Sequence, residues 1–523
     1  MPLNGLSIVS RKIEGLHVLE PIIQNEGTTT RERHLAKLAS DQFFGLWSYP
    51  GLARPAKKGI TKELADLTVI FGDDIILFSD KDISWPSHPD IQIAWGRWYR
   101  EAILASATQL WGAENYLRGP TPAIYLDARC QVPFPLPALS SRTRVHLVAV
   151  AANSTLAAHD YFSRIGGPGS SGTLIHAFGM PDLGGNHPFV VGDIDPKKPF
   201  IHIMDEETLD RVLTELGTIS DFVHYLTEKE AAVRSGRLRM YDGEEDLLAF
   251  YLQEAMPNGY GCLPFARQRL SSFDWARIPE GEWRTYERSS SYTVRTRMRQ
   301  LAREWHELIV PFSTAVLSAD TGEANDTPLD MHEITLRVAA SENLASRARL
   351  GTAFTEKYLS VPIGARSSRA VSSLCHPGRI YLFVFVPWIR HQATYEEYRS
   401  YRLSVMKAYS IVAPIKFPDA TEFIILGAQT RDATGGRSET MMYVRYDGEL
   451  GKEQIAEAHE LMDSEGILAD VPTQPARKEE NQVMPPRRFA RNELCPCGSL
   501  KKNKKCCNLS GPRHRKLYAA TIG

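Results

Sequence analysis

Apolar residues along 28–46, TTRERHLAKLASDQFFGLW, recur at three- and four-residue steps, with Leu35, Leu38, Ala39, Phe43 and Leu46 in phase. That period predicts an amphipathic helix. The stretch 48–59, SYPGLARPAKKG, interrupts it with Pro and Gly. Residues 62–82, KELADLTVIFGDDIILFSDKD, then read as a β-hairpin with GDD at its turn. A long helical pattern follows from Ile93 and stops at Gly119-Pro120, after which AIYLDARC (123–130) and RVHLVAVAAN (144–153) read as strands. Helix, hairpin, helix and strand make an α/β unit ending near residue 155.

The pattern continues with a strand, turn and strand over 189–205, an amphipathic helical pair over 206–236, and a helix over 243–255. A polar break, DTGEANDTPLD, occupies 320–330. Beyond it, RIYLFVFVPW, EFIILGAQT and ETMMYVRYD read as strands around a helix that starts near Thr394. The expected architecture is therefore a multidomain α/β chain: 1–155, a mixed middle region 156–300, a second α/β region 301–472, a Pro- and charge-rich linker 473–490, and a small module at 491–516. With 523 residues, more than one core is expected.

Composition narrows the class: 43% hydrophobic, 24% charged and 9% aromatic residues describe a folded chain. The net charge of −1 removes any global attraction to phosphates, so nucleic-acid binding must come from a local patch. Such a patch lies at 477–516, with twelve Lys/Arg against three Asp/Glu. No apolar run reaches the roughly 18–20 residues of a membrane span, and the N-terminus lacks a basic segment followed by an apolar one. The expectation is a soluble cytoplasmic protein without membrane association. The glycine-rich loop IGGPGSSGTL carries no Lys in the phosphate-loop position, which excludes a Walker site.

Cys130, Cys262 and Cys375 are scattered, whereas Cys495, Cys497, Cys506 and Cys507 crowd into RNELCPCGSLKKNKKCCNLSG. Four thiolates in so short a segment suit a closed tetrahedral Zn²⁺ site, and metal binding would supply most of its folding free energy. These residues resemble the SEC-C motif, with its Cys-Pro-Cys-Gly-Ser start, Lys-rich middle and final Cys pair. The resemblance implies zinc at Cys495, Cys497, Cys506 and Cys507. It implies no reaction, because the motif is appended to many proteins, including the protein-translocation motor ATPase. The later regions also resemble stretches of uncharacterised bacterial proteins that end in this module, which suggests a bacterial source. Elsewhere, Cys375 and His376 are adjacent, a spacing that seldom lets two side chains face each other as nucleophile and base.

Metal-dependent nucleases need carboxylates for Mg²⁺ and a Lys near the attacked phosphate. In the hairpin, Asp66 stands on one strand and Ser79-Asp80-Lys81 on the other. A two-residue loop at Asp73-Asp74 pairs Asp66 with Lys81, whereas a three-residue loop from Gly72 pairs Asp66 with Asp80. In neither register do Asp66, Asp80 and Lys81 share one face without a bulge. Residues 28–155 resemble the PD-(D/E)xK nuclease superfamily, a restriction-endonuclease-like α/β core. The resemblance rests on a helix with Glu32, on Asp66, on the Ser79-Asp80-Lys81 strand end, and on a following helix with Gln109. It implies that Glu32 assists the metal, Asp66 is its principal ligand, Lys81 acts on the water and Gln109 orients the site. Ser79 occupies the usual acidic position. Either Asp80 or Glu63 substitutes, a helix acid such as Glu32 or Glu101 has taken over, or the site is inactive.

Two functions follow as expectations. One is a Mg²⁺-dependent nuclease acting on DNA or RNA, with Asp66 and Asp80 as magnesium ligands and defence against foreign DNA as its setting. The other is an inactive nuclease-fold adaptor that docks a protein partner through its zinc tail.

Overall fold

The computed structural model describes residues 19–473, outside short breaks at 57–58, 137–138, 166–173, 180–185, 254, 264–274, 322–326, 390–392 and 432–436, together with Lys502 and Lys505. From residue 474 the expected linker and the cysteine module, with Cys495, Cys497, Cys506 and Cys507, lie outside the described residues apart from those two lysines. Met1–Ala266 and Leu270–Gln474 belong to one unit, and Arg267–Arg269 with Pro475–Gly523 to another. The strands and helices between Thr30 and Glu465 belong to the first unit.

Thr29 caps helix α1 (Thr30–Phe43) in a capping box with Glu32, which satisfies free amides at both ends of the first turn. Strands β1 (Ser48–Pro50) and β2 (Ala53–Pro55) form inside the segment whose Pro and Gly suggested only a break. Pro50 is tolerated because β1 is the edge strand of its sheet, where an N–H is dispensable. β3 (Thr61–Glu63) pairs with β2 as a two-stranded ribbon. β4 (Leu67–Phe71) and β5 (Asp74–Lys81) form the hairpin. Helix α2 (Ile91–Trp98) passes through a π-type turn, Tyr99–Leu104, into α3 (Ala105–Leu117).

The stretch 123–130 does not become a strand. It makes single bridges through Tyr125, and Asp127 takes up the backbone N–H groups of Arg129, Gln131 and Val132 in a turn. An Asp side chain that offers such bonds competes with strand pairing. β6 (Arg144–Ala151), α4 (Thr155–Ile165), β7 (Ile175–Ala177), β8 (Val190–Val191) and β9 (Ile201–Asp205) come next. The first sheet has the order β1-β4-β5-β6-β9, antiparallel up to β5 and parallel from β5 to β9. Its fifth strand thus comes from beyond residue 155.

α5 (Glu206–Leu216), α6 (Ile219–Arg234), β10 (Leu238–Tyr241), α7 (Glu244–Gln253) and β11 (Ala276–Ile278) complete a second sheet, β11-β10-β7-β8. Its centre is ionic. Lys229 Nζ donates to both Glu244 oxygens at 2.7 and 2.6 Å, and the hydroxyls of Tyr225 (2.7 Å) and Tyr241 (3.0 Å) donate to the same carboxylate. Both charged side chains are 1% exposed. Burial pulls the Lys229 ammonium below its ordinary range, with Glu244 opposing.

α8 (Glu282–Glu287), α9 (Ser290–Leu317), α10 (Leu329–Ala340) and α11 (Leu344–Ser360) lead to β12 (Ser367–Ser372) and β13 (Arg379–Val386). α12 (Tyr395–Lys416) crosses over to β14 (Glu422–Gln429), which lies parallel to β13, and β15 (Glu439–Arg445) and α13 (Lys452–Glu465) follow. The third sheet has the order β12-β13-β14-β15. Alternation along β13 divides it between two cores. Tyr381, Phe383 and Phe385 join the core shared with the first two sheets, while Ile380, Leu382, Val384 and Val386 pack with α12 and α13. The architecture is mixed α/β with several sheets. Among the described residues no helix is long and apolar enough to cross a membrane.

Candidate functional site

The hairpin register is set by its turn. Leu67 pairs with Phe78 and Phe71 with Asp74, which leaves Gly72 and Asp73 as the two-residue loop. Gly72 has φ +62°, the conformation required at the first loop position of a II′ turn. Both registers considered from sequence are therefore corrected: continued by one residue, the pairing sets Asp66 opposite Ser79, and neither Asp80 nor Lys81. Taking GDD as the turn placed the loop one residue too far along, and the Gly-X signature of the II′ turn was the overlooked signal.

This register gathers four of the expected residues. Gln109 of α3 donates Nε2 to Asp66 Oδ1 at 3.3 Å, and Ser79 Oγ donates to Gln109 Oε1 at 3.3 Å. Lys81 Nζ lies 3.6 Å from Asp66 Oδ2, which also accepts the Asp80 backbone N–H at 2.6 Å. The Asp66 side chain is 6% exposed and Lys81 is 29% exposed, so the cluster is walled in on the protein side and opens to water at the lysine. Ser79 and Lys81 share a face by strand alternation, and that face meets α3.

Asp80 points to the opposite face. Its carboxylate accepts from Arg31 Nε (3.1 Å) and Nη2 (2.8 Å), while Arg31 Nη1 donates to Glu206 at 2.8 Å. Burial raises the Asp80 carboxyl above its ordinary value against the pull of Arg31. Glu32 is held by the start of its own helix, accepting from the Thr28 N–H (2.7 Å), the Thr28 hydroxyl (2.5 Å) and the Thr29 N–H (3.4 Å). Against partial burial, these donors keep it below the usual carboxylate range.

Glu63 comes to the cluster from the neighbouring ribbon, where it pairs with Ala53. Burial of its carboxyl, then the charges of Asp66 and Glu32, push it up to about 7, with Lys81 opposing. A carboxylate already bonded to Gln109 keeps lone pairs for a cation, and two acids with one lysine at a water-facing edge have the chemistry to bind a divalent ion.

A second group gathers around the loop that joins α10 to α11. Glu342, Cys375 and His376 place one potential ligand atom each within 4.8 Å of the others, a group that could hold a metal ion. No comparable trio forms around Asp66 among the described residues. Sequence reasoning weighed Cys375 and His376 only against each other. Glu342 lies between two helices and 33 residues upstream, and nothing in the local pattern joins it to them.

No known protein family matches the chain, and no solved structure does. Among curated proteins, the protein translocase subunit SecA of Sulfurimonas denitrificans is 25% identical over 108 residues. That match covers 21% of this chain and 13% of the translocase subunit. The chain thus shares a small portion of a much longer protein.

Proposed function

We propose that the Asp66 cluster is a divalent-metal-dependent phosphodiesterase centre of PD-(D/E)xK type, acting on DNA or RNA. The observation that carries this reading is the convergence of Asp66, Lys81 and Gln109 at one end of the first sheet. Asp66 is the principal metal ligand, and Glu63 from the ribbon supplies the second carboxylate in place of Ser79. Asp80, committed to Arg31, is left out of the ligand set. When bound, the ion supplies Lewis-acid stabilisation of the phosphoryl oxygens and an activated water. Lys81 orients the water and balances developing charge, and Gln109 fixes the rotamer of Asp66. The zinc module at Cys495, Cys497, Cys506 and Cys507 and its basic surroundings add grip on phosphates.

The test is incubation of the full chain with linear duplex DNA and with single-stranded RNA, in Mg²⁺, Mn²⁺ or EDTA. Cleavage that needs the metal and drops by at least a hundredfold in D66A, E63Q and K81A supports the centre. Cleavage unchanged in D66A rules it out.

One observation favours a second reading. Ser79 is fully buried and sets a hydroxyl where an acid is usual. In that case the fold binds nucleic acid or a protein partner without cutting, with the zinc tail as the docking element. Metal-independent binding with no cleavage in any metal would select it.

A further inference from the structure

We infer that Glu342, Cys375 and His376 form a second metal site, for a thiophilic divalent ion such as Zn²⁺, facing a cleft between the first and third sheets. The site is separate from the Asp66 cluster and does not rest on the nuclease reading.

The donor set is one thiol, one imidazole and one carboxylate, a mixture that suits zinc and not magnesium. Cys375 Sγ lies 3.2 Å from Glu342 Oε2. Two ligands of one tetrahedral zinc, at about 2.3 Å for sulfur and about 2.0 Å for oxygen, stand roughly 3.5 Å apart, so little movement is needed.

The surroundings also fit. Glu342 is fully buried, and both of its carboxylate oxygens are held by neighbouring donors. Ser373 (2.7 Å) and Ser346 donate to Oε2, and Tyr381 (2.8 Å) and Arg379 (3.1 Å) to Oε1. Such donors orient a ligating carboxylate from behind. The His376 ring is set in the same way. Nε2 lies 3.0 Å from the Ser341 carbonyl, which can only accept, so Nε2 donates there and Nδ1 is the ring nitrogen left to face an ion.

A cleft runs beside the group, and His376 is the ligand that reaches its wall. It measures about 820 Å³, and His376, Tyr260, Ser341 and Arg379 line it. Tyr260 also hydrogen-bonds the Cys375 thiol. Three protein ligands, with His376 on the cleft wall, would leave a fourth position for an exchangeable ligand, unlike a closed structural site.

As a free nucleophile Cys375 is unsuited. Burial and the Glu342 charge push its thiol up to about 12, so it is protonated at neutral pH. Binding proceeds by exchange: the S–H bond breaks, sulfur bonds the ion, and the proton leaves to solvent.

The probe is Co²⁺, titrated into metal-free full-length protein carrying C495S, C497S, C506S and C507S, which silences the C-terminal thiols. The expected result is a thiolate-to-cobalt charge-transfer band that saturates at one thiolate-bound ion per chain. Adding C375S, a single-atom change with little effect on folding, abolishes the band. Adding H376A weakens binding by at least tenfold, while C130S changes neither. A thiolate-to-cobalt band that persists in the C375S protein, or no such band at all in the tail-silenced background, would overturn the site. Circular dichroism of C375S checks that the fold is retained, so that loss of the band reports the ligand.

Discussion

In the proposed centre, Glu63 would link metal binding to pH, and the link is measurable. Its carboxyl is raised to about 7, so it is about nine-tenths protonated at pH 6 and about one-tenth at pH 8. A cation shared by Asp66 and Glu63 must displace that proton. Affinity for Mn²⁺ should therefore rise about tenfold from pH 6 to pH 8. The sign follows from the direction of the shift: the ion favours the ionised form, which the neighbouring acids suppress below pH 7. The perturbation is E63Q, which keeps the shape and removes the titration. Calorimetric titration of the zinc-loaded full chain at pH 6, 7 and 8 gives the slope. The wild type should show it, and E63Q should bind more weakly with a flat profile. A tenfold slope retained in E63Q would refute the assignment of Glu63 and move the titrating acid elsewhere.

Other consequences concern stability. K229M leaves Glu244 charged and sealed with the Tyr225 and Tyr241 hydroxyls and the His176 ring, 3.8 Å away, as partners, and should cost about 3–5 kcal/mol in chemical denaturation; the double variant K229M/E244Q should recover much of it. Asp205 is buried with its carboxyl raised to about 7, so the fold prefers its proton. That contribution is complete below about pH 4 and is lost as pH rises to 7, about 2–3 kcal/mol between pH 5 and 7. D205N, which still caps α5, should remove that loss from the pH dependence of unfolding. G72A forces a side chain into φ +62°, with its Cβ 2.9 Å from Arg337 Nη1, and should cost about 1–2 kcal/mol; a variant as stable as the wild type would mean the turn adapts.

Periodicity predicted most elements because most of them bury one face. Leu35, Ala39 and Phe43 line the inner face of α1, and β13 alternates between two cores along its whole length. Short, tertiary-defined pieces were illegible. β1 and β2 exist because an edge position excuses Pro50 and because the ribbon pairs Ala53 with Glu63. The sharing of cores between 19–155 and the third sheet left no local trace, since contacts across hundreds of residues have no sequence period.

The candidate site was half legible. Asp66, Lys81 and Gln109 came from element order, and counting strand parity had already put Asp80 in doubt. What parity could not supply was the register, which depends on where Gly72 adopts positive φ, or the approach of Glu63 from a ribbon outside the hairpin. Arg31 was equally invisible as the partner that occupies Asp80. The Glu342, Cys375 and His376 group arises wholly from packing, through a loop that brings residue 342 beside a strand entry at 373–376.

The location of a bound Mn²⁺ ion bears most directly on the proposed centre. Anomalous scattering from crystals of the full chain soaked in Mn²⁺ would place the ion. The expected peak lies between the carboxylates of Asp66 and Glu63, within coordination distance of both and near Lys81, and is absent in D66A crystals. A peak at Asp80 and Glu206 instead, or none near Asp66 at saturating Mn²⁺, would contradict the account.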